Sequence, residues 1–460
     1  MNSNEIEKYM IIITFISSFF SVFVINGMVI GVPEIAREFG MNNFTQNWIM
    51  NLSLLVVTML TIPAGQITGK YGFKKSIMVG NSIFLISLFA SALAFSTESF
   101  LFFRVIQGIG IAIVNVSEMA ILNLAIAKEN RGRALGIIVM GVYLGTSASP
   151  VICGFLVQNF GWRSIFFISI PFILACIIMM KTKITSEWKT NERDRLDIAG
   201  SIMYMIGICL FIYGFTSLIT SIGKISIIIG LIILIIYFRY ELKQESPVFD
   251  VKLFRTKSFT AYNVAGLCGF FAAMVISTIF NYYFQYVKGW NPEMTGLILI
   301  ISPIIMSLTA PHAGKLSDKM HPQKIAVIGM CITVFAMIIM TLMDANTPLY
   351  IVMLAMALQA FGMGLFSSPN MNAIMSCVNE KDAAFASAGQ LAVRSIGQTM
   401  SLGLLTLIFS YVMGNLAISS QYSPMIVQAS QIVCGMCGVA CVIAVIASVI
   451  GIRADNVLKR

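Results

Sequence analysis

The chain has 460 residues, of which 58% are hydrophobic and 11% charged, with a formal net charge of +10. Soluble domains carry about 25% charged residues, so this chain cannot cover a water-facing surface. Apolar runs of about 20 residues, each long enough to cross a bilayer core, recur from end to end, whereas the roughly ten-residue alternating segments of a membrane β-barrel are missing.

The reading is therefore an all-α integral membrane protein. Apolar periodicity and breaker clusters place fourteen spans at 9–33, 46–68, 76–95, 99–126, 133–157, 163–181, 198–218, 223–239, 258–286, 294–313, 323–343, 347–375, 383–413 and 427–451. The first run, YMIIITFISSFFSVFVINGMVIGVP, is too long for a signal-peptide core and lacks a small-residue cleavage site, so it is read as a retained span. Cysteines sit singly inside apolar runs. Cys434, Cys437 and Cys441 follow helical spacing in the last span, where thiols act as small hydrophobes. Neither disulfides nor a metal site are expected, and no cofactor: no G-x-x-x-x-G-K-[ST] loop occurs, so ATP-driven transport is not expected.

The basic residues test the topology. With a cytoplasmic N-terminus, cytoplasmic segments hold 24 of the 30 Lys and Arg residues, including Lys70, Lys74, Lys75, Lys128, Arg131, Arg133 and the clusters at 181–195 and 239–257. Outer segments hold only Arg37, Arg163, Lys224 and Lys288. The positive-inside rule thus predicts a multi-pass cell-membrane protein with both termini cytoplasmic. The excess charge lies along the membrane and needs no nucleic-acid partner.

The sequence also repeats. GQITGKYGFKK (65–75) is echoed by GKLSDKMHPQK (314–324), and RVIQGIGIAIVNVSE (104–118) by MALQAFGMGLFSSPN (356–370). Both echoes fit two six-helix bundles, 1–181 and 258–460, joined by a linker at 182–257 that adds two central helices. Duplicated halves with a site between them are typical of secondary transporters.

These segments resemble the major facilitator superfamily, specifically its fourteen-helix drug:proton antiporter (DHA2) branch. GQITGKYGFKK and GKLSDKMHPQK are similar to the family's loop signature G-x-L-x-D-R-x-G-R-K. RVIQGIGIA matches its fourth-helix pattern, and GTSASPVICG (145–154) resembles the fifth-helix antiporter signature. GWRSIFFISIP, NYYFQYVKG and LAVRSIGQTMSLG are similar to further segments of this branch. The resemblance implies a major facilitator fold and no enzyme activity. It also implies gating positions at Gly65, Gly72, Gly145, Pro150, Gly154, Gly314 and Asp318. Two departures stand out. Gly69 replaces the aspartate of the first loop copy, and FVINGMVIGVP (23–33) has Asn26 where many members carry a first-helix aspartate nearby.

The residues support this independently. Gly145, Ser149, Cys153 and Gly154 put small side chains at helical repeats for close helix approach, and Pro150 bends the helix. Such a helix is expected at the interface of the two bundles. Asp318 lies where a carboxylate caps a helix N-terminus or pairs with a neighbouring bundle. In the fourth span, Gln107, Gly108, Asn115 and Glu118 fall within about 60° of Arg104, forming one polar stripe. A polar stripe faces a cavity or a partner helix, never lipid. Arg104 and Glu118 stand about 21 Å apart along the axis, too far to pair; Asn26 is at the right depth to bond Arg104. On the thirteenth span, Ser387, Gln390, Arg394, Gln398 and Ser401 share a second stripe.

Glu118 is the only acidic residue well within a span, and hence the candidate proton-coupling group. Asn26, Arg104, Gln107, Asn115, Gln285, Gln390, Arg394 and Gln398 are the candidate substrate-cavity residues. The expected function is proton-coupled multidrug efflux: export of amphipathic or cationic small molecules by a monomer in the lipid bilayer. The alternatives are an uptake carrier or uniporter for one metabolite and, more remotely, a non-transporting sensor or an enzyme of lipid-linked substrates.

Overall fold

The computed structural model describes residues 3–41, 43–190, 196–218, 220–290, 292–414 and 420–458. Among these, every regular element is helical. In chain order they are α1 (Ser3–Phe39), α2 (Asn43–Tyr71), α3 (Phe73–Ala92), α4 (Thr97–Ala125), α5 (Arg131–Phe160), α6 (Ser164–Lys183), α7 (Ile198–Thr216) and α8 (Ser221–Glu241). There follow α9 (Lys257–Tyr282), α10 (Pro292–Leu299), α11 (Ile301–Ser317), α12 (Pro322–Thr341), α13 (Leu349–Ser376), α14 (Ala383–Met413) and α15 (Ser423–Leu458). Fourteen stretches of the described chain are long and apolar enough to cross a membrane, α10 and α11 together forming one of them. Hydrocarbon cannot satisfy backbone polar groups, so an apolar chain of this length must close its hydrogen bonds inside helices.

Local chemistry sets the breaks. Ser96 and Ser99 form a reciprocal capping box at the start of α4, Asp197 caps α7 through Gly200 N–H, and Thr220 caps α8 through Gly223 N–H. Gly72 turns α2 into α3 at φ 103°, a conformation that glycine adopts without Cβ strain. Pro303 has no N–H to give Leu299, which accounts for the interruption between α10 and α11. After α9 the chain widens into one π-helical turn, Tyr283–Val287.

Helices α1–α6 pack mainly on one another, as do α9 and α11–α15; α7 and α8 pair with each other and lean on α2 and α14. The halves meet chiefly through α5 on α11, α2 on α14, α4 on α14 and α5 on α13. At the end of the bundle that carries both termini, one buried cluster draws on both halves: Met10, Phe73, Met119 and Leu135 against Phe259, Ala310, Met371 and Ala384. The extra helices join a second shared cluster in which Tyr204, Tyr237 and Phe249 meet Ile62, Phe385 and Ala388.

Candidate functional site

Above the seam on the termini face, the halves enclose a cavity of about 310 Å³. Helices α1, α2, α4 and α5 form one wall; α9, α10, α11, α13 and α14 form the other. Six methionines (Met119, Met274, Met306, Met356, Met363 and Met371) line it, with Phe270 and Phe280. Thioethers are flexible and polarizable, so such a wall adapts to apolar guests of different shape. Two ionisable side chains of opposite charge, Glu118 and Arg394, also line it, one from each half.

Glu118 is 1% exposed. Its Oε2 accepts from Ser18 Oγ on α1 at 2.8 Å, and its Oε1 has no hydrogen-bond partner. Asn81 Nδ2 on α3 donates to the adjacent Ser17 Oγ at 3.2 Å. Glu118 is therefore held on one oxygen by a hydroxyl and left free on the other, an arrangement suited to carrying a proton rather than an ion pair.

Arg394 on α14 stacks its guanidinium over the Phe270 ring, 5.1 Å from the centroid. Among the described residues it makes no salt bridge. Ser395 and Gln398 line the cavity from the same helix and Tyr143 lines it from α5, and Tyr143 reaches Ser367 Oγ at 3.5 Å. A partly exposed cation without a carboxylate is a ready donor for an acceptor group on a guest.

Asn26, Asn115 and Gln398 also line the cavity. Four expected cavity residues do not. Arg104 is 0% exposed and turned toward α2, where it donates from Nε to Ile49 O at 3.2 Å and from Nη1 to Gln107 Oε1. Ser53 Oγ on α2 donates to Arg104 O at 2.9 Å. Arg104 and Gln107 thus form a helix–helix clamp; the polar stripe faces a partner helix at its outer end and the cavity at its inner end. Asn26 does not bond Arg104, because its Nδ2 returns to Val22 O at 3.1 Å. Gln285 lies in the π-turn and donates to Asn281 Oδ1 at 2.7 Å. Gln390 is 2% exposed and lies in the buried part of α14, outside the cavity wall.

The motif glycines divide into three groups. Gly314 and Gly132 bring α11 and α5 into backbone contact, and Gly136 sits against Ala310 O. Gly65 sits against Ala384 and Ala388 of α14. These close the termini-face seam. Gly145 instead packs on Phe19 O of α1, within one half, and Ser149 Oγ donates to Phe23 O. The helix does lie at the interface of the bundles, as expected, but through Gly132 and Gly136 near its start; at Gly145 and Ser149 the small-residue stripe serves α1–α5 packing. Gly154 meets nothing within 4 Å.

Asp318 accepts from Gly132 N at 2.6 Å and Arg133 N at 2.9 Å, capping α5 from the other half. Burial pushes its carboxyl above the ordinary range, and the two N–H groups oppose that. The counterpart position, Gly69, has no side chain to give. There a different carboxylate intervenes: Glu187, in the segment after α6, accepts from Lys74 N at 2.9 Å and Lys75 N at 3.1 Å and so caps α3. Thr190 N donates to Gly69 O and Phe73 N to Trp188 O, both within 3.1 Å. On the opposite face, Arg163 holds Glu38 in a two-pronged pair at 2.9 and 2.7 Å, which keeps the Glu38 carboxyl below its ordinary range.

Two six-helix halves around an amphipathic cavity, closed at one end and lined by one acid and one base, define a membrane carrier rather than an enzyme. The sequence comparison gives the family: a profile described as Major Facilitator Superfamily matches residues 14–402, and the chain belongs to that superfamily. It is 26% identical to the riboflavin transporter RibZ of Clostridioides difficile, over 82% of this chain and 83% of that one. It is also 26% identical to the multidrug resistance protein Stp of Mycobacterium tuberculosis, over 82% and 71%, and 22% identical to the methyl viologen resistance protein SmvA of Salmonella typhimurium, over 83% and 78%. Among solved structures, the human organic anion transporter MFSD10 is similar with a TM-score of 0.65 at 12% identity, covering 93% of this chain and 99% of that one. The proton:xylose symporter XylE reaches 0.64 at 14% identity, over 95% of each chain. At these identities the solved structures speak to the fold.

Proposed function

We propose that this transporter is a proton-coupled exporter of amphipathic small molecules, of the fourteen-helix drug:proton antiporter type, that works by alternating access of its two halves. The observation that carries the reading is Glu118: a cavity-lining carboxylate with one oxygen on Ser18 and the other free. A proton on Glu118 leaves Arg394 as the cavity's net charge, and its loss restores neutrality, so proton and substrate act on the same electrostatic balance. The methionine and phenylalanine wall suits flat or cationic amphiphiles, consistent with relatives named for multidrug and methyl viologen resistance. On this reading the termini face is cytoplasmic, as the distribution of basic residues indicates, and the protein sits in the cell membrane.

The test is flux of methyl viologen and riboflavin in proteoliposomes under an imposed pH gradient. Wild type should exchange substrate for protons. Glu118→Gln should lose the dependence on the gradient while still binding substrate. Undiminished proton-driven flux in Glu118→Gln refutes the assignment. A second reading, an uptake carrier or uniporter for one metabolite, draws on the first helix having no carboxylate near Asn26, where many members of this branch carry an aspartate, and on Gly69 replacing the loop aspartate; flux indifferent to the gradient in wild type supports it.

A further inference from the structure

A second pair of carboxylates lies outside the cavity, where the extra helices α7 and α8 meet at the termini face. Asp197 caps α7 through Oδ1, which accepts from Gly200 N at 2.8 Å and from Tyr240 Oη at 3.3 Å. Glu241 ends α8, is 1% exposed, and accepts from Val248 N through Oε2 at 3.0 Å. Each acid is thus satisfied on one oxygen. The others, Asp197 Oδ2 and Glu241 Oε1, have no hydrogen-bond partner, and both lie within contact of the point where Gly200 would carry a Cβ. They face each other across the glycine.

A third group lies beside this gap, close enough to feel both acids. Tyr237, one turn before Glu241, is 3% exposed, and its hydroxyl also has no partner. The titratable groups around the pair are Tyr237 and Tyr240 on α8 and Tyr204 on α7; the α2 neighbour is the uncharged Gln66. Among the described residues, no lysine or arginine forms a salt bridge with either acid. A buried carboxylate such as Glu241 resists carrying its charge next to a second acid. Among the described residues no third Asp, Glu, His or Cys joins the pair to hold a metal ion.

We propose that Glu241 holds a proton directed at Asp197 and that this proton fastens the extra helix pair to the seam between the halves. Asp197 N donates to Gln66 Oε1 on α2 at 3.1 Å, and Gln66 Nε2 donates to Ser246 O and Pro247 O. The same loop, held by Glu241 at Val248, places Phe249 against Gly389 and Phe385 of α14. Loss of the proton leaves two like charges facing each other, which pushes the start of α7 from the end of α8 and loosens the loop from α2 and α14. The device is separate from Glu118 and needs no substrate.

Hydrogen exchange of the 242–256 loop in the purified full-length protein, followed against pH and corrected for intrinsic exchange, tests it. An opening that requires loss of one proton rises about tenfold per pH unit while the closed form still holds that proton, and levels off once it has lost it. Wild type and Glu118→Gln should both show that rise. Glu241→Gln and Asp197→Asn should both abolish it and leave protection flat. The proposal is overturned if the rise persists in both pair variants, if wild type shows none, or if Glu118→Gln alone removes it. Infrared difference spectra are an independent check. The carboxylic C=O band assigned to this site should survive in Glu118→Gln and vanish in Glu241→Gln; a band unaffected by Glu241→Gln also overturns the proposal.

Discussion

Gly314→Ala is expected to force the termini-face seam open. A Cβ on Gly314 would run into the Gly132 carbonyl oxygen, with its carbon and Ser368 Oγ both at 2.9 Å. Two of those three atoms are backbone, so no rotamer change clears them and α5 and α11 must part. Inserting a methyl into a close-packed contact costs about 1–3 kcal/mol. At a factor of ten per 1.4 kcal/mol, the closed arrangement loses population about five- to 150-fold relative to the open one. In the open arrangement the methyl has room, so the fold should persist with a near-normal melting temperature. Hydrogen exchange over residues 131–141 should speed up by that factor, and transport, which needs the seam to re-form in each cycle, should slow. Gly136→Ala, whose Cβ would meet Ala310 O at 2.7 Å, should act in the same direction. Gly154→Ala, with nothing within 4 Å, should leave exchange over 131–141 unchanged. Wild-type exchange and flux in both seam variants would refute the claim that backbone contact at these glycines holds the face shut.

Three other substitutions probe different parts of the molecule. Arg104→Ala leaves Gln107 Oε1 and Ile49 O without their donor in a buried site; a loss of about 1–3 kcal/mol of stability is expected, read as a fall in melting temperature, with substrate affinity of the surviving folded protein unchanged. Arg394→Ala should weaken binding of guests bearing a hydrogen-bond acceptor by about tenfold, the worth of a hydrogen bond to a charged donor, and leave purely cationic guests unaffected, as measured by fluorescence titration. Arg163→Ala breaks the half-exposed pair with Glu38, worth about 1 kcal/mol after solvent screening. Because Glu38 titrates below its ordinary range in the folded protein, that contribution is full above the ordinary carboxylate pKa and fades as pH falls through the lowered folded value. The difference in melting temperature between variant and wild type should therefore shrink on acidification from neutrality to below about pH 4.

Helix number was legible because a bilayer demands long apolar runs and the chain has little else. Rarity of charge likewise singled out Glu118 and Arg394, which the structure brings to one cavity. What periodicity lacks is the identity of the neighbour. Arg104 and Glu118 share a stripe on α4, yet one meets α2 and the other the cavity wall, because helices cross at an angle and a single face changes partner along its length. The same ambiguity misplaced Gly145, whose spacing fits any close helix contact and which in fact serves α1. Gln285 was read on a regular helix, whereas the π-turn re-aims it toward Asn281. Glu187 and the Asp197–Glu241 pair passed unnoticed since each is an ordinary surface-type acid until the chain folds a loop over it. The methionines of the cavity carried no positional signal, being six of 30 in the chain.

The missing carboxylate at Gly69 makes the two edges of the closed face unlike. Along α5 and α11 the fastening is ionic in character, an acid seated on bare amides; along α2 and α14 it rests on alanine and glycine surfaces in dry contact. A door with one magnetic edge and one merely flush edge swings rather than lifts away. If the protein exports amphiphiles as proposed, the α2–α14 edge beside the extra helices is the one expected to part first.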